Sequence, residues 1–95
     1  MDQAQPILSC FFQAIENDPR IGVSHISLYC ALLQYGVAQG TFTPMTVVGA
    51  EVMKIAKISG LGTYHRCIKD LNSYGYIRYV PSYNHRKKSK VYLLS

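Results

Sequence analysis

The spacing of apolar residues changes at Gly75, and this change restricts the possible folds more than any other feature of the chain. Before the glycine, four residues recur at the spacing of one buried helix face. They are Tyr64, Cys67, Ile68 and Leu71. After it, two segments at about 76–80 and 90–94 alternate in polarity and are rich in Tyr and Val, as strands are. We therefore expect a helix over about 62–74 and then a β-hairpin.

Three further helices are predicted before this unit. Residues 6–17 carry apolar side chains at i, i+4 and i+8, which indicates an amphipathic helix. Residues 25–40 are apolar nearly all the way round, so this helix is expected at the centre of the fold. A short extended segment, 45–47, precedes a third helix at about 48–57. Ser24 is the expected N-cap of the central helix.

The predicted order is helix, helix, short strand, helix, turn, helix, strand, basic loop, strand. This is the order of a winged helix-turn-helix domain. We therefore predict a mainly α fold with a small β-hairpin, forming a single domain over residues 1–95, with the hairpin or wing at 76–94. In the third helix we expect Val52 and Ile55 to be buried, and Val48 and Gly49 leave its start weakly capped.

The net charge of +5 is unevenly distributed. Residues 1–50 hold one Arg against three acidic side chains, whereas residues 51–95 hold nine Lys and Arg against two. This clustering favours one basic face and a polyanionic partner. The alternative is a basic surface that is merely solvated.

Composition argues against several other classes of protein. No apolar run approaches the roughly eighteen residues of a membrane span. The start MDQAQPILSCFFQAI lacks the basic region of a secretory signal, so we expect a cytoplasmic protein. The cysteines and histidines are isolated, without CxxC or HxxxH spacing, and we expect no metal, cofactor or small-molecule ligand. They are Cys10, Cys30, Cys67, His25, His65 and His85. His25 is interpreted as a surface or capping residue.

The segment TYHRCIKD, residues 63–70, brings together many side chains that enzymes use. His65 and Cys67 are about 200° apart on a helix, however, so they do not form a nucleophile–base pair. No P-loop, GxSxG or GxGxxG arrangement is present either, and we do not expect an enzyme. The polar face suits the major groove of DNA instead.

Two sets of residues are predicted to contact DNA. The first set would contact base edges from the helix at 62–74, and it consists of Thr63, His65, Arg66 and Lys69. The second set would contact phosphates, mainly from the hairpin tip. It consists of Lys54, Lys57, His85, Arg86, Lys87, Lys88 and Lys90.

Three segments resemble a family of small winged-helix proteins carried on conjugative and mobilizable elements of Bacteroides-type bacteria. They are DPRIGVSHISLYCALLQYG, EVMKIAKISGLGTYHRCIKDLNSYGYIRYVPSYN and SKVYLL, and the similarity covers roughly residues 11–94. The resemblance implies DNA binding, with Thr63, His65, Arg66 and Lys69 facing the groove and Gly75 at the turn into the wing. The chain departs from the family pattern at Val48 and Gly49, where a Thr N-cap and a polar first-turn residue are expected, and in its more basic tip, HRKKSK.

The expected function is sequence-specific binding of double-stranded DNA, as a transcriptional regulator. An excision, recombination or replication accessory protein of a mobile element would use the same fold. A winged-helix protein-interaction module is the alternative from another class, and RNA binding is a weaker one because the helix lacks an aromatic platform. The apolar surface of the N-terminal helices favours a homodimer through Ile7, Phe11, Phe12 and the 26–35 helix, and the alternative is that the same residues form the core of a monomer.

Overall fold

The computed structural model describes residues 3–82 and 88–93, which form four helices and a three-stranded antiparallel sheet. The elements are α1 (Ala4–Ile15), α2 (Val23–Gln39), β1 (Met45–Val47), α3 (Gly49–Ala56), α4 (Leu61–Ser73), β2 (Ile77–Val80) and β3 (Ser89–Leu93). The prediction of a mainly helical chain with a small hairpin is confirmed, and every predicted helix or strand boundary lies within two residues of the observed one.

Helix α2 lies at the centre of the fold, as its all-round apolar pattern predicts. Its buried residues cover more than half of the circumference of the helix, and they include Leu28, Tyr29, Ala31, Leu32 and Leu33. Helices α1, α3 and α4 all contact it. The ring of Phe11 in α1 stacks on Tyr29, with the centroids 3.8 Å apart and the planes almost parallel. The core therefore forms around α2 within a single chain.

The sheet has the order β1-β3-β2, so β1 is a third strand beyond the two-stranded hairpin that the sequence predicts. Met45 lies opposite Val91 in β3, while Ile77 in β2 lies opposite Leu93. The other edge of β1 is covered by Gln39, whose side-chain amide accepts from the Thr46 N–H at 3.0 Å and donates to the Thr46 carbonyl. This contact satisfies backbone groups that an edge strand leaves open.

Two local predictions are wrong. Helix α2 begins two residues earlier than expected, with Gly22 rather than Ser24 as its N-cap, because His25 accepts the hydrogen bond of the Gly22 N–H at 3.0 Å. In α3, Ile55 is 43% exposed and Ala56 is buried in its place. The small Ala56 lets α3 approach α2 closely enough for Ser27 to donate to its carbonyl at 2.5 Å.

The segment between α1 and α2 contains an ion pair that also contacts residues between α4 and β2. Arg20 contacts both carboxylate oxygens of Asp18 at 2.8 Å, and the Tyr76 hydroxyl donates to the same carboxylate at 2.5 Å. The guanidinium of Arg20, together with this hydroxyl, holds the pKa of Asp18 well below its usual range. The guanidinium also lies 4.0 Å from the centre of the Tyr74 ring, just after α4. These contacts tie the connection between α1 and α2 to the residues that follow α4.

Candidate nucleic-acid interface

Helix α4 has one buried face and one polar face, as its apolar period predicts. The buried face consists of Tyr64, Cys67, Ile68 and Leu71. His65, Arg66 and Lys69 are exposed on the opposite side, within the first nine residues of the helix. The structure therefore brings three of the four predicted base-reading residues together on one accessible surface, which we call the α4 polar face.

Thr63 is placed differently from the other three. It is half-buried, and its helical position is about 200° from that of His65. It lies instead on the flank of α4 that carries Asp70, which is also half-buried. Thr63 is consequently separated from the centre of the α4 polar face.

Asp70 connects this flank of α4 to the start of α2. Its carboxylate lies 2.9 Å from Nε2 of His25, while Nδ1 of the same ring accepts from Gly22. We assign the proton to Nε2 from these partners, since a nitrogen that accepts carries no hydrogen. The hydrogen bond from Gly22 confirms the expected capping role of His25. Because the ring is buried, His25 is not a surface residue. The Asp70 contact, which the sequence did not predict, helps to fix the orientation of α4.

A four-residue turn, 57–60, joins α3 to α4. Lys57 adopts the left-handed conformation with φ 62°, and the next N–H, of Ile58, donates to the Met53 carbonyl at 3.0 Å. This is a helix ending at which glycine is usual. Lys54 and Lys57 are both exposed beside it. They border a shallow, mainly apolar groove of about 520 Å³ whose other lining residues are Ala50, Met53, Ile58 and Ser59.

The left-handed conformation of Lys57 leads to a stability prediction. Lys57→Gly is expected to raise the free energy of unfolding by up to about 1 kcal/mol, because glycine adopts this conformation without the steric cost that other residues bear. Lys57→Ala removes the same charge but keeps a Cβ, so it serves as the matched control and should not stabilise. Urea denaturation of the three proteins measures the difference. Equal stability of the Gly and Ala variants would contradict the left-handed ending of α3.

The hairpin formed by β2 and β3 lies beside α4. The Asn72 side chain in α4 accepts from the Tyr79 N–H at 2.9 Å, which fixes β2 against the helix. Lys88 and Lys90 are exposed at the start of β3. Arg78 is also exposed, and its guanidinium lies 5.4 Å from the centre of the Tyr92 ring. The predicted phosphate contacts His85, Arg86 and Lys87 lie outside the described residues.

The carboxylates near these basic side chains have partners within the chain. Asp18 binds Arg20, Asp70 binds His25, and Glu51 accepts from the Tyr35 hydroxyl at 2.5 Å. Across residues 3–82 and 88–93, no carboxylate lies within 4.0 Å of a basic group of α3, α4 or the hairpin. The positive charges of α3, α4 and the described part of the hairpin are therefore available to an external anion.

The chemistry of Cys67 differs from that of a reactive thiol. The side chain is fully buried, and burial raises its pKa despite the neighbouring Arg66.

The part of the chain that the structure describes contains no cluster of three His, Cys, Asp or Glu side chains able to hold a metal ion. Among the same residues, no helix has the length and apolarity needed to cross a membrane.

Three residues of this region were missed by sequence reasoning. Leu61, the first residue of α4, is 61% exposed although its spacing from Tyr64 fits the buried stripe. Its position next to the N-cap Gly60 is the signal that could have separated it from the stripe, because the first turn projects beyond the core. Arg78 could have been found from the alternation of β2. Asn72 gave no sequence signal, since its partner is a backbone N–H of another element.

Comparisons with known proteins identify no relative of this chain. No protein-family model, no curated protein and no solved structure matches it.

Proposed function

We propose that this chain is a sequence-specific double-stranded DNA-binding protein with a winged helix-turn-helix fold, acting as a transcriptional regulator. The observation that carries the proposal is the α4 polar face, where His65, Arg66 and Lys69 are exposed together on a helix whose opposite face is buried. A short turn after α3 and a basic hairpin beside α4 complete the arrangement. Helices presented in this way enter the major groove.

The proposed role of α4 is to read base edges. Arg66 is the candidate for a guanine contact, because a guanidinium can donate two parallel hydrogen bonds to O6 and N7. Such a contact requires a helix of fixed orientation. Contacts from two other elements provide this: His25 binds Asp70 on one flank, and Tyr79 binds Asn72 in the last turn.

The proposed role of the surrounding lysines is to bind phosphates. Lys54 and Lys57 lie before α4 in the chain, at the α3–α4 turn, and Lys88 and Lys90 lie after it, in the hairpin. All four are exposed, and their charge is not cancelled by a neighbouring carboxylate of the described residues. Phosphate contacts of this kind supply affinity and orientation but little sequence information.

Substitutions at Arg66 test the base contact. Arg66→Ala is expected to lose about 1–3 kcal/mol of discrimination between the preferred base pair and its alternatives. Arg66→Lys is the matched control, since it keeps the charge but lacks the planar donor pair. It should lose the same discrimination while its affinity keeps the salt dependence of the wild type. Gel-shift titrations against duplexes selected from a random library measure both quantities.

A Lys88→Ala, Lys90→Ala double variant provides the complementary test. It should weaken binding to all sequences and reduce the slope of log affinity against log salt by about 0.9 for each lost phosphate contact. If neither this variant nor Arg66→Ala alters binding, α4 and the hairpin are not the DNA-contacting elements.

The same geometry would serve an excision, recombination or replication accessory protein of a mobile element. Sequencing of the genomic fragments that the protein binds separates these roles. Fragments at promoters support the regulator, whereas fragments at the ends of an integrated element support the accessory protein.

A second candidate function is a protein-interaction module with the same fold. It is favoured by the exposed Leu61 on α4 and by the apolar groove that includes Met53 and Ile58. The charges of the α4 polar face oppose it, because protein-interface centres are depleted of charged residues. The absence of any selected duplex in the gel-shift experiment would support the interaction module over the DNA-binding protein.

A further inference from the structure

Leu61 is an exposed apolar side chain at the start of α4. It is the first residue of the helix and is 61% exposed. The other exposed large apolar side chains of the described residues belong to α1, α2, α3 and β2. Leu61 therefore adds an apolar group to a helix surface that is otherwise polar and basic.

The position of Leu61 on the helix relates it to the α4 polar face. Leu61, His65 and Lys69 follow one another at i, i+4 and i+8 and form one row along α4. Arg66 lies beside this row. An apolar group on the same helix surface as Arg66 and Lys69 fits a nucleic acid better than it fits an apolar protein surface.

Gly62 supports an external contact at the same place. Each of the other glycines has a visible role: Gly36 and Gly49 lie against aromatic rings, Gly40 and Gly75 have positive φ, and Gly22 and Gly60 are N-caps. Among residues 3–82 and 88–93, a Cβ added at Gly62 would meet nothing within 4 Å, so packing within this part of the chain does not require glycine there. A helical glycine is less stable than alanine, and a close approach by another molecule would account for it.

We propose that Leu61 packs against the C5-methyl group of a thymine in the major groove, and that Gly62 leaves room for the approach of the DNA. The methyl group is the one apolar feature that a base pair presents in this groove, and it distinguishes T·A from the other pairs. The first residues of a recognition helix contact base edges, which is where Leu61 lies. This inference rests on the proposed function and names Leu61 as a specificity-determining residue.

The experiment replaces single thymidines of a selected duplex with deoxyuridine, which removes only the methyl group. Wild-type protein should bind about fourfold more weakly when the contacted thymine is replaced, the loss expected for one buried carbon group. Leu61→Ala should bind the thymidine and deoxyuridine duplexes equally. Val37→Ala, which shortens an exposed apolar side chain of α2, should discriminate as the wild type does.

Gly62→Ala gives a second measurement that does not depend on truncating the leucine. It should leave the melting temperature unchanged or raised, while weakening binding to the selected duplex. Binding that is insensitive to deoxyuridine at every position, or a Leu61→Ala variant that still discriminates, overturns the thymine contact and leaves the proposed function standing. Failure to bind any duplex overturns both.

Discussion

Phe11→Ala is expected to lower the free energy of unfolding by about 3–5 kcal/mol, the range for removing a buried aromatic side chain from a packed core. Phe11 is the buried residue of α1, and its ring contacts three others: it stacks on Tyr29 and meets Tyr76 and the neighbouring Phe12 edge-on, each at 5.6 Å. Small domains are stable by only about 5–15 kcal/mol. The substitution therefore tests whether α1 belongs to the core, and urea denaturation followed by circular dichroism measures it.

Phe12→Ala is the matched control, because the same side chain is removed one position along the same helix. Phe12 is 44% exposed, so its loss should change the free energy of unfolding by less than about 1 kcal/mol. Equal decreases in the free energy of unfolding for the two variants would contradict the packing of α1 on α2. A larger decrease for Phe11→Ala would support the stacking of Phe11 on Tyr29 as the main contact between these helices.

Phe11 and Phe12 were also predicted to lie in a homodimer interface. Of the residues proposed for its interface, Phe11 and much of the 26–35 segment are buried inside the single chain, which leaves Phe12 as the large apolar side chain still exposed. A dimer through α1 remains a prediction. Sedimentation of wild type and Phe12→Ala at high protein concentration tests it, and wild type that stays monomeric removes it.

The fold could be predicted from the sequence wherever one side of a helix or strand is buried. The apolar period of α4 gave its buried face correctly, and the change of period at Gly75 located the turn into β2, where Gly75 has φ 88°. The period fails where burial depends on a neighbour's shape. Ile55 was expected on the buried face of α3, but the close approach of α2 favours the smaller Ala56 at the contact between the two helices.

Contacts between distant polar groups could not be predicted. His25 and Asp70 are 45 residues apart, and Gln39 binds the backbone of Thr46, so neither pair leaves a periodic signal. Leu61 is a further case, because the sequence analysis made no prediction for it and its position at the end of a helix leaves it 61% exposed. The candidate interface was thus predictable in its charges, but not in the contacts that orient it.

His25→Ala is expected to lower the free energy of unfolding by about 2–4 kcal/mol. The ring is buried and makes one hydrogen bond to a backbone N–H, which contributes about 1 kcal/mol, and one to a carboxylate, which contributes about 1.5–3 kcal/mol. Partial exposure of Asp70 places the carboxylate contribution toward the lower end. Val23→Ala, in the same turn but 84% exposed, should change stability by less than about 0.5 kcal/mol.

The effect of His25 on function follows from its position between α2 and α4. At temperatures where the variant is still folded, His25→Ala should relax the base preference at the position read by Arg66, because α4 loses the contact that fixes one of its flanks. Asp70→Asn separates orientation from charge: its amide oxygen can still accept from Nε2, so base preference should persist while overall DNA affinity rises with the loss of a negative charge. If His25→Ala binds the selected duplex with unchanged preference, α4 is held by its buried face and by the Asn72–Tyr79 contact, and the His25–Asp70 contact serves stability only.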